Sequence, residues 1–316
     1  MTDATRVLVV GGGVAGLTCA LELLDAGYNV QVAARELLGE TTSAIAAAFW
    51  YPYRAYPEDQ VNGWAHASLR RFMGLADDPH TGVLRRETIE LGPIASRPGW
   101  ACVAEQFHPA RAEDLPPGFT EGFAFTTAVV ETGVYLPWLQ AQVEARGGQV
   151  VRRTLTSLDE VKDHPIAINC SGLGARTLVP DPAMHPIRGQ IVRVENLGFS
   201  RVWIDEHSGP DITYVVPRSV DVVLGGTSEP HEDDRTPVAE RSRRILERCA
   251  RLEPRLAEAR VLSVAVGLRP GRAAVRLEAE RLGDTLVVHN YGHGGAGVTL
   301  SWGCAAAVRE IVEARR

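Results

Sequence analysis

The sequence predicts an α/β protein, a Rossmann-like nucleotide-binding domain that carries an inserted, mainly antiparallel sheet domain. Three observations lead there. A β-branched run, Arg6-Val7-Leu8-Val9-Val10, passes directly into Gly11-Gly12-Gly13-Val14-Ala15-Gly16. Two later stretches, Ile166 to Gly174 and Val287 to Gly297, repeat the passage from apolar run to glycine turn. Between these turns lie segments rich in Pro, Gly and scattered aromatics, without βαβ order. Such turns imply three parallel strand ends meeting at one ligand, in a domain interrupted by another.

Residues 6–10 suit a central parallel strand buried on both faces. Leu17, Ala20, Leu21 and Leu24 recur at helical spacing, and Gly27 stops the helix. Asn29-Val30-Gln31-Val32 reads as the next strand. The first turn fits G-x-G-x-x-G. Gly11 permits the turn, Gly13 admits a pyrophosphate, and Gly16 lets helix and strand pack, with Val14 and Ala15 at the helix start. A purely structural glycine turn is the alternative. Arg35 and Glu36 lie about 20 residues beyond the glycines, where a ribose contact belongs. Ala34 occupies the position expected for the acid, so Glu36 is the candidate.

Thr41, Thr42 and Ser43 offer hydroxyls to phosphate or ribose, and the small residues through Ala46 and Ala47 let backbone crowd a flat ligand. An N-capped, Ala-rich helix is the alternative. In Phe49-Trp50-Tyr51-Pro52-Tyr53-Arg54, the residues Trp50, Tyr53 and Arg54 are candidates for a side-chain pocket, with the rim of a core as the other reading. Arg54 is the residue expected to favour acidic side chains.

From about Tyr56 to Thr132 the pattern reads as part of the sheet domain. Helical spacing returns at Leu136, Leu139 and Val143 and ends at Gly147-Gly148, before a strand at Gln149–Arg152. Cys170, Ser171 and Gly172 form the second turn. Residues 190–194, 214–217 and 221–226 read as strands of the inserted sheet, and 238–256 as an amphipathic helix with Arg outward. In the last turn Gly292, His293, Gly294, Gly295 and Gly297 precede a helix beginning near Val298 and Thr299, whose free N–H groups suit an anion.

With 316 residues, 45% of them hydrophobic, the chain can bury a large core and has room for two domains. The formal charge of -6 argues against a nucleic-acid partner. Lys162 is the only lysine. Cys19, Cys102, Cys170, Cys249 and Cys304 show no C-x-x-C pairing, which fits a reduced, cytoplasmic protein with no cysteine metal site. No apolar run reaches the ~18 residues of a membrane span, and no leader is expected.

The residues now on view resemble a known family. His289-Asn290-Tyr291-Gly292-His293-Gly294-Gly295-Ala296-Gly297-Val298-Thr299, continuing through Ser301-Trp302-Gly303-Cys304, is similar to the signature of the D-amino acid oxidases, FAD flavoproteins that include D-aspartate oxidase. Asn169-Cys170-Ser171-Gly172, Arg188-Gly189-Gln190, Tyr214-Val215-Val216-Pro217, Leu224-Gly225-Gly226-Thr227 and Gly267-Leu268-Arg269-Pro270 resemble family segments in the same order. The resemblance implies an FAD-binding domain at 1–55, 134–188 and 270–316, and a substrate domain at 56–133 and 189–269. It implies a carboxylate clamp of Arg269 and Tyr214, an amine acceptor at the Gly295 carbonyl, and N–H groups of 294–299 set against the flavin. Where some family members carry a second Tyr, Ser208-Gly209-Pro210-Asp211-Ile212 has none.

Read by itself, Arg269 is either a structural cation or the planar donor a carboxylate needs, and Tyr214 either a core residue or its partner. His293 is given no proton-transfer role. The implied reaction is FAD-dependent oxidation of a D-amino acid to a 2-oxo acid, ammonia and hydrogen peroxide, by hydride transfer to flavin N5 with molecular oxygen as acceptor. The alternatives are an oxidase of another small amine or of an acidic amino acid (glycine, sarcosine, D-aspartate), a nicotinamide-dependent dehydrogenase, or a non-catalytic nucleotide binder. Homodimerisation is left open.

Overall fold

A computed structural model describes residues 4–93 and 98–315; residues 1–3, 94–97 and 316 of the expected divisions lie outside it. The chain begins with β1 (Arg6–Val10), α1 (Val14–Asp25) and β2 (Asn29–Ala34), the predicted βαβ unit. After the short α2 (Thr42–Ile45) comes α3 (Glu58–Leu75), then β3 (Val83–Leu91), β4 (Glu105–Pro109) and β5 (Gly122–Val130). The chain returns through α4 (Thr132–Ala145), β6 (Gln149–Arg152), β7 (Ile166–Asn169) and α5 (Ala175–Leu178). It leaves again as β8 (His185–Glu195), β9 (Val202–Asp205), β10 (Thr213–Pro217), β11 (Asp221–Gly225), β12 (Glu229–Pro230), α6 (Ala239–Leu252) and β13 (Val261–Gly271). It ends with β14 (Arg276–Leu282), β15 (Thr285–Tyr291) and α7 (Gly297–Glu313).

Two sheets result. The first has the order β14-β15-β7-β1-β2-β6 and is parallel except for β14. The three strands that lead into glycine turns, β15, β7 and β1, are adjacent and parallel. Strand β1 is buried on both faces: Val7 and Val9 join the core under α1, α4 and α7, while Leu8 and Val10 join a smaller cluster with Val161, Ala167 and Val287. The second sheet runs β12-β8-β11-β10-β9-β3-β5-β4, with β13 also on β8, and only β3–β9 is parallel. Helix α6 covers one of its faces through Ile245, Cys249 and Leu252. Among the described residues no helix is long and apolar enough to cross a membrane.

Three expectations need correction. The stretch from 56 to 132 contains an 18-residue helix, α3, whose buried set Val61, Ala65, Ser68, Leu69, Phe72 and Met73 follows helical spacing. It packs against α7 of the first domain rather than belonging to the second sheet. The divisions placed after 188 and after 269 fall inside β8 and β13, because these two strands pair along their whole length from 185 to 194 and 261 to 271.

The α3–α7 contact is close enough to require glycine. A Cβ at Gly303 would stand 2.1 Å from the Trp64 carbonyl oxygen, and the Gly303 N–H donates to Ser68 Oγ at 2.9 Å. Gly303→Ala must push two helix backbones apart. The expected cost is about 1–3 kcal/mol, seen as a Tm lower by about 2–8 °C; an unchanged melting curve would contradict the contact.

Candidate active site

One cleft opens along the carboxyl ends of β1, β7 and β15, the position an open parallel sheet offers to a ligand. Gly11, Gly13, Val14, Ala15, Arg35 and Glu36 line it from the first βαβ unit. Gly16 does not reach it. A Cβ there would lie 1.9 Å from the Gly11 carbonyl oxygen, so its glycine serves the packing of α1 on β1. Helix α1 starts without a cap from its own N-cap residue and without an acidic residue in its first turn, and of its first N–H groups that of Val14 is held by Ser43 Oγ, so the others can meet an anion. Arg35 pairs with Glu36 at 3.1 Å on the rim. Ala34 is buried, where its Cβ faces the backbone of Gly12.

Thr41, Thr42, Ser43, Ala46 and Ala47 line the adjoining wall. Ser43 Oγ accepts from the Val14 N–H at 3.1 Å, and Thr42 Oγ1 donates to the Leu268 carbonyl of β13 at 3.1 Å, tying this loop to both sheets. Arg218, almost fully buried, donates to the carbonyls of Ala46 and Ala47 at 2.6 and 2.8 Å. Cys170, Ser171 and Gly172 follow β7, with the Ser171 hydroxyl bonded to Asn169 Oδ1 at 2.7 Å. His293, Gly294, Gly295, Gly297, Val298 and Thr299 complete the wall, and α7 also begins uncapped and without an acid. Burial pushes the His293 imidazole down to about 4, so it is neutral at ordinary pH and holds Asn290 Oδ1 at 2.9 Å. These donors and glycines fit a dinucleotide: two helix N-termini, hydroxyls, and backbone that a Cβ would obstruct.

The second sheet contributes Tyr214 from β10 and Arg269 from β13. Both are given room by glycine. A Cβ at Gly189 would stand 2.4 Å from the Arg269 guanidinium nitrogens, and one at Gly225 2.0 Å from the Tyr214 ring. Arg269 Nη1 donates to the Thr227 carbonyl at 2.9 Å, and its charge acts on the Tyr214 hydroxyl. Among the described residues Arg269 forms no ion pair, so a cation faces the cleft uncompensated. Burial raises the Tyr214 hydroxyl and Arg269 opposes that rise, so the phenol stays a donor.

Of Trp50, Tyr53 and Arg54, only Tyr53 lines the cleft, 3.2 Å from where a Gly295 Cβ would be. Trp50 turns the other way. It is fully buried, donates to the Ala65 carbonyl at 2.8 Å and meets Trp100 edge-on. Arg54 is exposed, 5.0 Å from the Tyr53 ring centroid, and lies outside the cleft wall. The chain is extended here, so alternate residues Phe49, Tyr51 and Tyr53 face the cleft. Tyr51 and Phe49 were missed, although this alternation was their signal.

Arg235 was also missed. It lines the cleft from the loop after β12, and the buried Arg188 holds that loop by donating to the carbonyls of Asp234 and Thr236, each at 2.7 Å. Behind Tyr51 sits a buried acid, Glu90, bonded to the Tyr51 hydroxyl at 2.8 Å. Burial pushes the Glu90 carboxyl up to about 7; the Tyr51 bond opposes the rise and the charge of Glu206 adds to it.

Residues 6–311 match the family described as FAD dependent oxidoreductase. The chain is similar to the D-amino-acid oxidase of Rubrobacter xylanophilus, 49% identical over 304 residues that cover 95% of this chain and 93% of that protein. It is 44% identical to the D-amino-acid oxidase of Streptomyces coelicolor over 307 residues, covering 95% and 94%. The fold is shared with glycine oxidase from Geobacillus kaustophilus, with a TM-score of 0.83 at 18% identity over 98% of this chain and 95% of that one.

A carboxyl whose pKa is raised in the folded protein stabilises the fold at low pH and loses that contribution as pH rises through the folded value. Glu90 therefore favours the folded state fully below about pH 4.3 and loses that contribution through about pH 7. Thermal melts from about pH 5.5 to about pH 8.5 should show Glu90→Gln losing less Tm than the wild type. Parallel curves would contradict this assignment.

Proposed function

The chain belongs to the D-amino acid oxidase family of FAD dependent oxidoreductases, and on that premise we propose that it oxidises D-amino acids to 2-oxo acids, releasing ammonia and hydrogen peroxide. The observation that carries the reading is Arg269, an uncompensated guanidinium that lines the same cleft as Tyr214 and the α7 N-terminus. A planar, two-pronged donor matches a carboxylate, and a phenol at its side adds a third hydrogen bond.

In this reading Arg269 and Tyr214 hold the substrate carboxylate, and the Gly295 carbonyl accepts from the amine. Two fixed contacts on two substituents of Cα leave one face of that carbon toward the cofactor, and this sets the choice between D and L. FAD, when bound, supplies the two-electron acceptor that takes the Cα hydrogen and is returned to its oxidised form by oxygen. Gly11, Gly13 and the α1 N-terminus would hold its diphosphate, with Thr42, Ser43 and the β7 turn beside it. Residues 294–299 would set N–H groups and a helix dipole against its ring. No side chain serves as a base: His293 is neutral but buried and occupied by Asn290. The chain's part is orientation and electrostatics. The free thiols, four of them buried, support a reducing, cytoplasmic setting.

The purified protein is expected to be yellow and to produce peroxide from D- but not L-amino acids. A colourless preparation that FAD does not reconstitute would overturn the reading. Arg269→Ala should keep its flavin spectrum and lose at least about 100-fold in kcat/KM, because a charge-assisted clamp contributes about 3 kcal/mol. Gly189→Ala should displace the guanidinium while leaving Tm nearly unchanged, since only the mobile end of Arg269 is struck. KM should rise strongly in that variant; wild-type KM would mean that the clamp lies elsewhere.

A further inference from the structure

Tyr51 is held at both ends. Its N–H donates to Thr299 Oγ1 and its carbonyl accepts from the same hydroxyl, each at 3.1 Å, so its backbone is fastened to the first turn of α7. Its own hydroxyl donates to Glu90 Oε1 at 2.8 Å, on β3 of the second sheet. Between these ties the ring lines the cleft. It stacks on Phe49 at 5.9 Å, and Phe49 is tilted against Tyr214 at 5.8 Å. Trp100 meets it edge-on at 5.4 Å. Tyr214, Phe49 and Tyr51 thus form a row of rings along the cleft, with Phe49 in the middle.

The acid behind this row is unusual. Glu90 does not line the cleft; it is 8% exposed, and its Oε2 has no hydrogen-bond partner. It forms no ion pair among the described residues. Its neighbours on β3, Ile89 and Leu91, are fully buried in an apolar cluster. A buried acid without a counter-ion lowers stability, and an apolar side chain of similar size would suit the position better. The one side-chain contact that Glu90 does make is to the Tyr51 hydroxyl.

We propose that Glu90 is a positioning residue: by holding the Tyr51 hydroxyl it fixes that ring as a rigid wall against which the substrate's side chain packs. The inference rests on the oxidase reading above and adds a residue that governs how well long side chains bind. A ring free to turn would lose that freedom each time a substrate packed on it. The bond to Glu90 removes the freedom during folding instead, so the ring face is already set for stacked or edge-on contact. The two bonds to Thr299 keep the same ring in register with the turn of α7 set against the cofactor. With the carboxylate on Arg269 and Tyr214, a methyl side chain stays short of Tyr51, because Phe49 stands between. A phenyl side chain spans Phe49 and reaches it.

The test separates positioning from support of the fold. Initial rates of peroxide formation are measured with D-alanine and D-phenylalanine. In Glu90→Leu and in Tyr51→Phe the kcat/KM of D-phenylalanine relative to D-alanine should fall about three- to tenfold. The fall should come through KM rather than kcat, with the flavin spectrum unchanged. Glu90→Gln still accepts from the phenol and should keep the wild-type ratio. The double variant Tyr51→Phe, Glu90→Leu removes both partners, so it should keep the wild-type Tm and still show the fall; it replaces Glu90→Leu if the unpaired phenol there prevents folding. A wild-type ratio in Tyr51→Phe and in the double variant, whatever their Tm, overturns the proposal, as does an equal fall in Glu90→Gln. Thermal shift of the holoenzyme needs no turnover: 3-phenylpropanoate should stabilise the wild type and Glu90→Gln more than propanoate does, and this advantage should shrink in Tyr51→Phe. An undiminished advantage in Tyr51→Phe overturns the proposal. Absence of peroxide from D-alanine in the wild type counts against the oxidase assignment alone and leaves the shift experiment to judge Glu90.

Discussion

The structure depends on backbone coming closer than a side chain would allow. Strands β1, β7 and β15 end side by side, and each gives way to a glycine turn. At Gly11 the backbone takes φ +121°, and a Cβ there would lie 2.3 Å from the Cys170 carbonyl oxygen of the neighbouring turn. The turns therefore pack against one another before any ligand is considered. The starts of α1 and α7, with no acidic residue in either first turn, give the cleft a positive rim without a lysine on it. A diphosphate-bearing cofactor suits such a rim.

The chemistry comes from the other sheet. Arg269 and Tyr214 stand on strands that never enter the first sheet, and each needs a glycine opposite it, Gly189 or Gly225, to lie flat. The seam is held by polar ties. Thr42 bonds β13, Arg218 bonds the backbone of Ala46 and Ala47, and Ala48 and Trp50 pair with β5. These ties fix the distance between the wall of the cleft made by the glycine turns and the wall that carries Arg269 and Tyr214. Catalysis by orientation requires that distance to be constant, because a misplacement of about 1 Å can cost 100-fold.

Electrostatics divides the cleft. One end presents Arg269 unpaired; the aromatic wall has the buried Glu90 behind it, bonded to the Tyr51 hydroxyl. Between them His293 is kept neutral by burial, so it adds no charge to compete with either end.

Local spacing was enough to find the glycine turns, the βαβ unit and the second sheet's strands at 190–194 and 214–217, because each has its signal within a few residues; Arg269 and Tyr214 as a pair came from the family resemblance, their own surroundings in the chain leaving a core role open. Helix α3 was legible in principle, since Val61, Ala65, Leu69 and Phe72 keep helical spacing, but prolines and scattered aromatics around it drew the reading toward strands. Trp50 and Arg54 were placed in the pocket by nearness to Tyr53, whereas an extended chain sends neighbours to opposite faces. What the sequence determined alone was the fold class and the glycine turns at the strand ends. Only the tertiary structure decided which aromatics face the cleft, that Arg235 reaches it, and that Glu90 stands behind Tyr51. Those groupings join residues from different strands and loops, and no local pattern in a chain records which distant side chains the packing of two sheets will bring into contact.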